Sequence, residues 1–404
     1  MGPDAVSEAP SPAPTPAPKE SAPPKEVSEG RKKKEIERVS SNILYRGLAK
    51  VKEKEGAGTP LTESEKKLKV LMQIDELKPG EAMVFTGSSL TFPLTLETTS
   101  GSKYPETGVL KRADYQSDSE LVCQFEDSNG NPLNPPRVLK REDVAAAQLL
   151  AEEGPILSNF EGADQDMLKQ HISLRKDSQS PLPEGTDDLI KKAASEKGML
   201  TFDDLIELTK SVEAQSQGLS PEQQTETAKV IEALTKLQPD GNLLDAETLA
   251  GVFKTAGFTP ERFQAELKSA EEALLLTKEN AEKYPKDEAA KQSFTEQRLK
   301  VHVLQQAIGA FDEGGILEQY FTKMDKGEVD LNQAKEFIKN FREGNLGKIV
   351  EDAAGKELTE EDKKSMKEAM LKVAKNGGLI SLFLMIILGT GAENFKGVVS
   401  LDQK

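Results

Sequence analysis

The chain has 404 residues, 36% of them hydrophobic, 30% charged and only 5% aromatic, with no Trp. So lean an apolar fraction suits helices packed through Leu, Ala, Val and Met, and argues against a large β-sandwich or α/β barrel. The formal charge is −16, yet residues 1–78 carry a balance of +2, so the rest carries −18; such a body repels nucleic acid and anionic lipid within a Debye length, and no nucleic-acid partner is expected of it.

Residues 1–30 hold eight of the 22 prolines. Proline fixes φ and removes amide donors, so this stretch reads as a disordered Pro/Ala-rich tail. It has neither the basic and apolar regions of an ordinary secretory signal nor a complete myristoylation start. Residues 31–78 read as amphipathic helices. In the first, Ile36, Val39, Ile43 and Leu48 recur at near-helical spacing. The second opens on Thr62 and Glu65, a capping-box pair in which each side chain reaches the other's backbone amide.

Residues 79–151 change period. Leu90, Phe92, Leu94 and Leu96 alternate with polar residues or Pro, as do Leu121, Cys123 and Phe125, which predicts strands with one buried and one wet face. Asn129-Gly130 marks a hairpin turn. Several short antiparallel strands in so few residues predict a small β-barrel or rolled sheet, with Pro93 at an edge or bulge and a helix through Val144 and Leu149. Residues 152–185, weakly periodic and rich in proline, read as a linker. Residues 186–404 read as a helical domain. Ser220-Pro221 with Gln223, and Thr259-Pro260, mark helix starts, and residues 260–311 read as a helical hairpin bent near Tyr284-Pro285. The apolar run 379–388 is about half the length that spans a bilayer and is expected in the core, so no transmembrane span is predicted; a membrane or partner contact is its alternative.

A glycine followed two residues later by an apolar residue, next to a helix, recurs at Gly198/Leu200, Gly241/Leu243 and Gly327/Val329. With the flanking helices this resembles the EF-hand family, in which the glycine makes the sharp turn and the apolar residue pairs with a sister loop. On that resemblance Asp240 stands at loop position five and Glu247 at position twelve, with Asp245 between them. These three residues form an alternative metal site. The departures are plain: Lys236 stands at position one and Gln238 at position three, where calcium wants oxygen ligands, and the other two loops carry still fewer carboxylates. No metal is therefore the primary expectation.

Catalytic motifs fail on spacing. The segment from Gly344 to Lys348 is too short for a phosphate loop, and Gly389-Thr390-Gly391 lacks both the third glycine and the room for a βαβ unit. His171, expected solvated in the linker, and His302 belong to no metal motif. Cys123, the only cysteine, rules out an intrachain disulfide, fits a reducing, cytoplasmic location, and reads as an inert core thiol. No catalytic residue and no cofactor are expected. The run Arg31, Lys32, Lys33 and Lys34, following the tail, is the candidate interaction site.

The reading is an α+β, predominantly helical, multidomain protein: a non-enzymatic scaffold or adaptor with an unidentified protein partner and no assigned oligomeric state. The alternatives are a regulatory helix–loop–helix protein with degenerate EF-hand-like ion binding, and a carboxylate-based hydrolase.

Overall fold

The computed structural model describes residues 24–84, 91–97, 103–117, 120–127, 129–215, 220–238 and 241–332, with scattered positions between 359 and 387. Most of the expected tail, residues 1–23, lies outside them; residues 24–30 belong instead to the first helix, α1 (Pro24–Gly56). α2 (Glu63–Glu76) starts on the predicted capping box, with both reciprocal bonds between Thr62 and Glu65 formed.

The sheet consists of β1 (Ala82–Val84), β2 (Thr91–Glu97), β3 (Lys103–Ser117), β4 (Glu120–Glu126) and β5 (Pro132–Lys140), all paired antiparallel. Val109 of β3 pairs with Thr91 on one side and Glu126 on the other, and Asp114 likewise with Ala82 and Val122. β1 and β2 therefore share one edge of β3, and the sheet is four strands wide. Neither β1 nor β2 pairs with β5, so the sheet is open and the expected barrel is corrected. Closure would need the outer edge of β5, and Pro132, Pro135 and Pro136 deprive that strand of amide donors. Pro93 lies on the β2 edge, as expected.

One face of the sheet is buried. A register shift between Leu110 and Arg112 lets Leu110 and Ala113, three residues apart, both face inward. With Leu121, Cys123 and Phe125 they pack against Ile74 and Leu77 near the end of α2 and Val144 of α3 (Arg141–Ala151). The Asn129-Gly130 turn forms with Gly130 at φ +82°, and the Asp127 carboxylate accepts from the N–H groups of Asn129 and Asn131 at 2.8 Å. The opposite face leaves Val84 and Val138 exposed.

Residues 152–185 are not a linker. They fold into α4 (Glu153–Leu157) and α5 (Gly162–Lys176). Met167, Leu168, His171 and Ile172 lie at one-turn helical spacing and are buried, which corrects the solvated reading of His171. The main core runs on from there through α6 (Thr186–Glu196), α7 (Phe202–Gln215), α8 (Pro221–Leu237), α9 (Ala246–Thr255), α10 (Pro260–Lys283), α11 (Glu288–Gly309) and α12 (Ile316–Asp325). The helix starts at Ser220 and Thr259 form as read. α10 and α11 make the expected hairpin about Tyr284, with Leu267, Leu274 and Phe294 half-buried along it. Ile380, Phe383, Leu384, Met385 and Ile387, described apolar residues of the run 379–388, lie in this core. Among the described residues no helix is long and apolar enough to cross a membrane.

The three glycine turns meet one another and α1. Thr201 and Leu243 form an antiparallel bridge, with the Phe202 N–H donating to Asn242 O and the Leu244 N–H to Leu200 O. The third turn joins through the Leu331 N–H, which donates to Gly198 O at 2.6 Å. Gly198 sits at φ +64°, and a Cβ there would come within 2.9 Å of Asp330 Cβ and 3.2 Å of the Leu331 nitrogen. Gly198→Ala is expected to cost about 2 kcal/mol or more in urea unfolding, from left-handed strain plus the clash; a loss under about 0.5 kcal/mol would contradict this packing.

Candidate functional site

α1 carries a polar stripe as well as an apolar one. Arg31, Glu35, Arg38, Asn42 and Arg46 recur every three or four residues and so share a face. Each reads one of the three turns. Arg31 lies 5.0 Å over the Phe202 ring and donates to Leu243 O. Glu35, only 2% exposed, accepts from the N–H groups of Asn242 and Leu243 at 2.7 and 2.8 Å. Asn42 donates to Met324 O, and Arg46 to Lys197 O. Burial raises the Glu35 carboxyl above its ordinary range, although the two N–H groups and the Arg31 guanidinium act against it. Gly241 is needed for this approach, because a Cβ there would fall 2.6 Å from Glu35 Oε1.

Next to this stripe opens a cleft of about 610 Å³ between α1, the start of α9, the turn after α11, and α12. Six carboxylates line it: Asp245, Glu247, Asp312, Glu313, Glu318 and Asp325, against the single cation Arg38. Its floor is apolar, with Phe311, Leu317 and Phe321. Arg38 grips Asp325 with both Nε and Nη2 at 2.9 Å and donates from Nη1 to Leu244 O, also at 2.9 Å. Burial nevertheless raises the Asp325 carboxyl, and the Asp245 charge adds to that rise. Asp245 caps α9 by accepting from the Thr248 N–H at 2.7 Å. Glu318 accepts from the Gly314 N–H at 2.6 Å. Glu247, Asp312, Glu313 and Glu318 are exposed at the rim.

Of the residues singled out in the sequence, Asp245 and Glu247 thus meet at one cleft, while Asp240 lies outside the described residues. Asp204, at position twelve of the first turn, instead accepts from the Thr201 N–H and hydroxyl and helps start α7. Among the described residues no group of three or more His, Cys, Asp or Glu is placed to hold a metal ion. The basic run is drawn inward: besides the Arg31 contacts, Lys32 pairs with Asp187 at 2.7 Å and Lys33 donates to Ser178 O, whereas Lys34 is exposed. Cys123 is buried, and burial pushes its thiol up to about 12, far from a thiolate at neutral pH.

Sequence reasoning missed Arg38, Asp312, Glu313, Glu318 and Asp325. The stripe on α1 was a usable signal for Arg38, since an Asn and two Arg in step with a Glu are more than a solvated face requires. The others come from a turn and a helix 70 or so residues after Asp245, and no local pattern joins them. No protein-family model matches the chain, and neither curated proteins nor solved structures give a match.

Proposed function

We propose that this chain is a non-enzymatic scaffold or adaptor whose cleft beside α1 receives a basic, partly apolar segment of a protein partner. The observation that carries the reading is the chemistry of that cleft: an apolar floor of Phe311, Leu317 and Phe321 under a rim of exposed carboxylates. A Lys- or Arg-bearing segment with a Leu or Phe anchor complements both layers, the anchor supplying affinity and the charges steering encounter and choice of partner. Asp245 and Asp325 are already engaged, one in a helix cap and one by Arg38. That favours a contact surface over the ion-binding and hydrolase alternatives, which draw on the same carboxylates.

The test is a titration of a labelled Lys/Arg-rich peptide carrying one Leu anchor. Neutralising Glu247, Glu313 and Glu318 together as Gln removes three rim charges at roughly 0.5 kcal/mol each, so binding should weaken about tenfold. The same number of Gln changes at the exposed Glu271, Glu272 and Glu279 of α10 should leave affinity within about twofold, since these charges lie on the hairpin away from the cleft-lining residues. Equal weakening by both triple variants would reduce the cleft to one part of a diffuse acidic surface.

A further inference from the structure

A second cavity, of about 270 Å³, lies among α1, α2, α3 and α5, apart from the acidic cleft. Its volume equals about nine waters at roughly 30 Å³ each, room for one small organic molecule. Three features of its lining bear on what it could hold. His171 of α5 is 8% exposed and faces this cavity, yet forms no hydrogen bond among the described residues. A neutral imidazole offers one N–H donor and one acceptor, both of which a molecule in the cavity could meet. Burial and the Arg175 charge push its pKa down to about 4, so the ring is neutral at physiological pH.

The second feature is Arg141. Its guanidinium has one long contact, 3.5 Å to Leu77 O, and lies 5.8 Å from the Tyr115 ring centre. It forms no ion pair among the described residues, although Asp75 and Glu142 line the same cavity. Asp75 is occupied differently, accepting from the Tyr45 hydroxyl, and Glu37 is held by Arg175. A planar fork of donors with a single long backbone contact, on a residue that lines the cavity, suits a carboxylate, which it can hold through two parallel bonds. The third feature is an apolar wall of Leu44, Leu71, Met72 and Leu149, which suits an aliphatic body.

We propose that this cavity binds a small aliphatic monocarboxylate, its carboxylate on Arg141, its chain against Leu44, Leu71, Met72 and Leu149, and a hydroxyl or amino substituent hydrogen-bonded to His171. Asp75 and Glu142 act against any anion in the cavity, so each negative charge beyond the one Arg141 meets should weaken binding, and dicarboxylates and phosphate should bind less well than monocarboxylates. This site is independent of the adaptor reading and survives its failure.

The experiment is an NMR titration of the full chain with hexanoate, 2-hydroxyhexanoate and leucine, with 1-hexanol, succinate and inorganic phosphate as comparison probes. Saturable shifts with the monocarboxylates at millimolar concentration, tighter for the 2-substituted acids, are expected. Arg141→Gln should weaken binding at least tenfold, and His171→Phe should remove the advantage of the 2-substituent. Thermal melts run beside each variant establish that it is folded, and Arg141→Lys, which keeps the charge but not the fork, should give an intermediate loss. The proposal is overturned if no monocarboxylate saturates, if 1-hexanol binds as well as hexanoate, or if folded Arg141→Gln binds like the parent.

Discussion

Glu35→Ala is expected to destabilise the protein by about 2–4 kcal/mol, whereas Glu35→Gln should cost little at neutral pH. The carboxylate accepts from two buried N–H groups, those of Asn242 and Leu243, and leaving each unmet costs roughly 1–3 kcal/mol. Gln keeps one acceptor oxygen in place and removes a charge that burial disfavours. The pH dependence follows in sign. A carboxyl whose pKa is raised by folding favours the folded state fully below its unfolded value, and that contribution is lost as pH rises through the raised folded value. The stability of Glu35→Gln relative to the parent should therefore improve as pH increases over that window. Urea unfolding at several pH values reads both effects. Equal losses in the Ala and Gln variants would mean that the two N–H groups find other partners.

The other large effect is expected at Phe253. This side chain of α9 is fully buried and meets Phe258 edge-on at 5.8 Å, Phe311 at 6.1 Å and Phe383 at 5.5 Å. Phe253→Ala should cost about 3–5 kcal/mol from lost burial plus the cavity left behind, seen as a lower urea midpoint at nearly unchanged slope. Because Phe311 is also part of the cleft floor, the same variant should weaken binding of the basic peptide under conditions where it remains folded. A loss below about 1 kcal/mol would show that Phe253 does not join α9 to the Phe311 turn and the C-terminal helical residues, since full burial of a Phe is worth more than that.

Local chemistry was legible and long-range closure was not. The starts at Thr62, Ser220 and Thr259 are written in three or four consecutive letters, because a cap is a bond between near neighbours. The period-two runs announced β2 and β4, but whether the two sheet edges meet depends on residues more than thirty positions apart. The prolines of β5 held the relevant hint. The prolines at 155, 181 and 183 suggested a linker; Pro155 lies within α4 and the other two follow α5, whose spacing at 167, 168, 171 and 172 carried the helical signal. The paired turns announced by Gly198 and Gly241 do bridge, through Thr201 and Leu243, so the backbone half of the EF-hand resemblance describes the chain better than its ligand half. On α1, charged and amide residues outside the apolar stripe are the groups that bind those turns, because a helix surrounded by other elements buries more than its apolar stripe.

The adaptor reading is tested most directly by placing a photo-crosslinking side chain at Thr322, exposed at the cleft rim, and another at Val138 on the open sheet face. Irradiated with the basic peptide at 0.15 M salt, the Thr322 probe should capture it and the Val138 probe should not, with capture at Thr322 lost when Glu247, Glu313 and Glu318 are all Gln. Capture at Val138 alone, or none at either position with saturating peptide, would contradict the cleft as the place where this protein meets its partner.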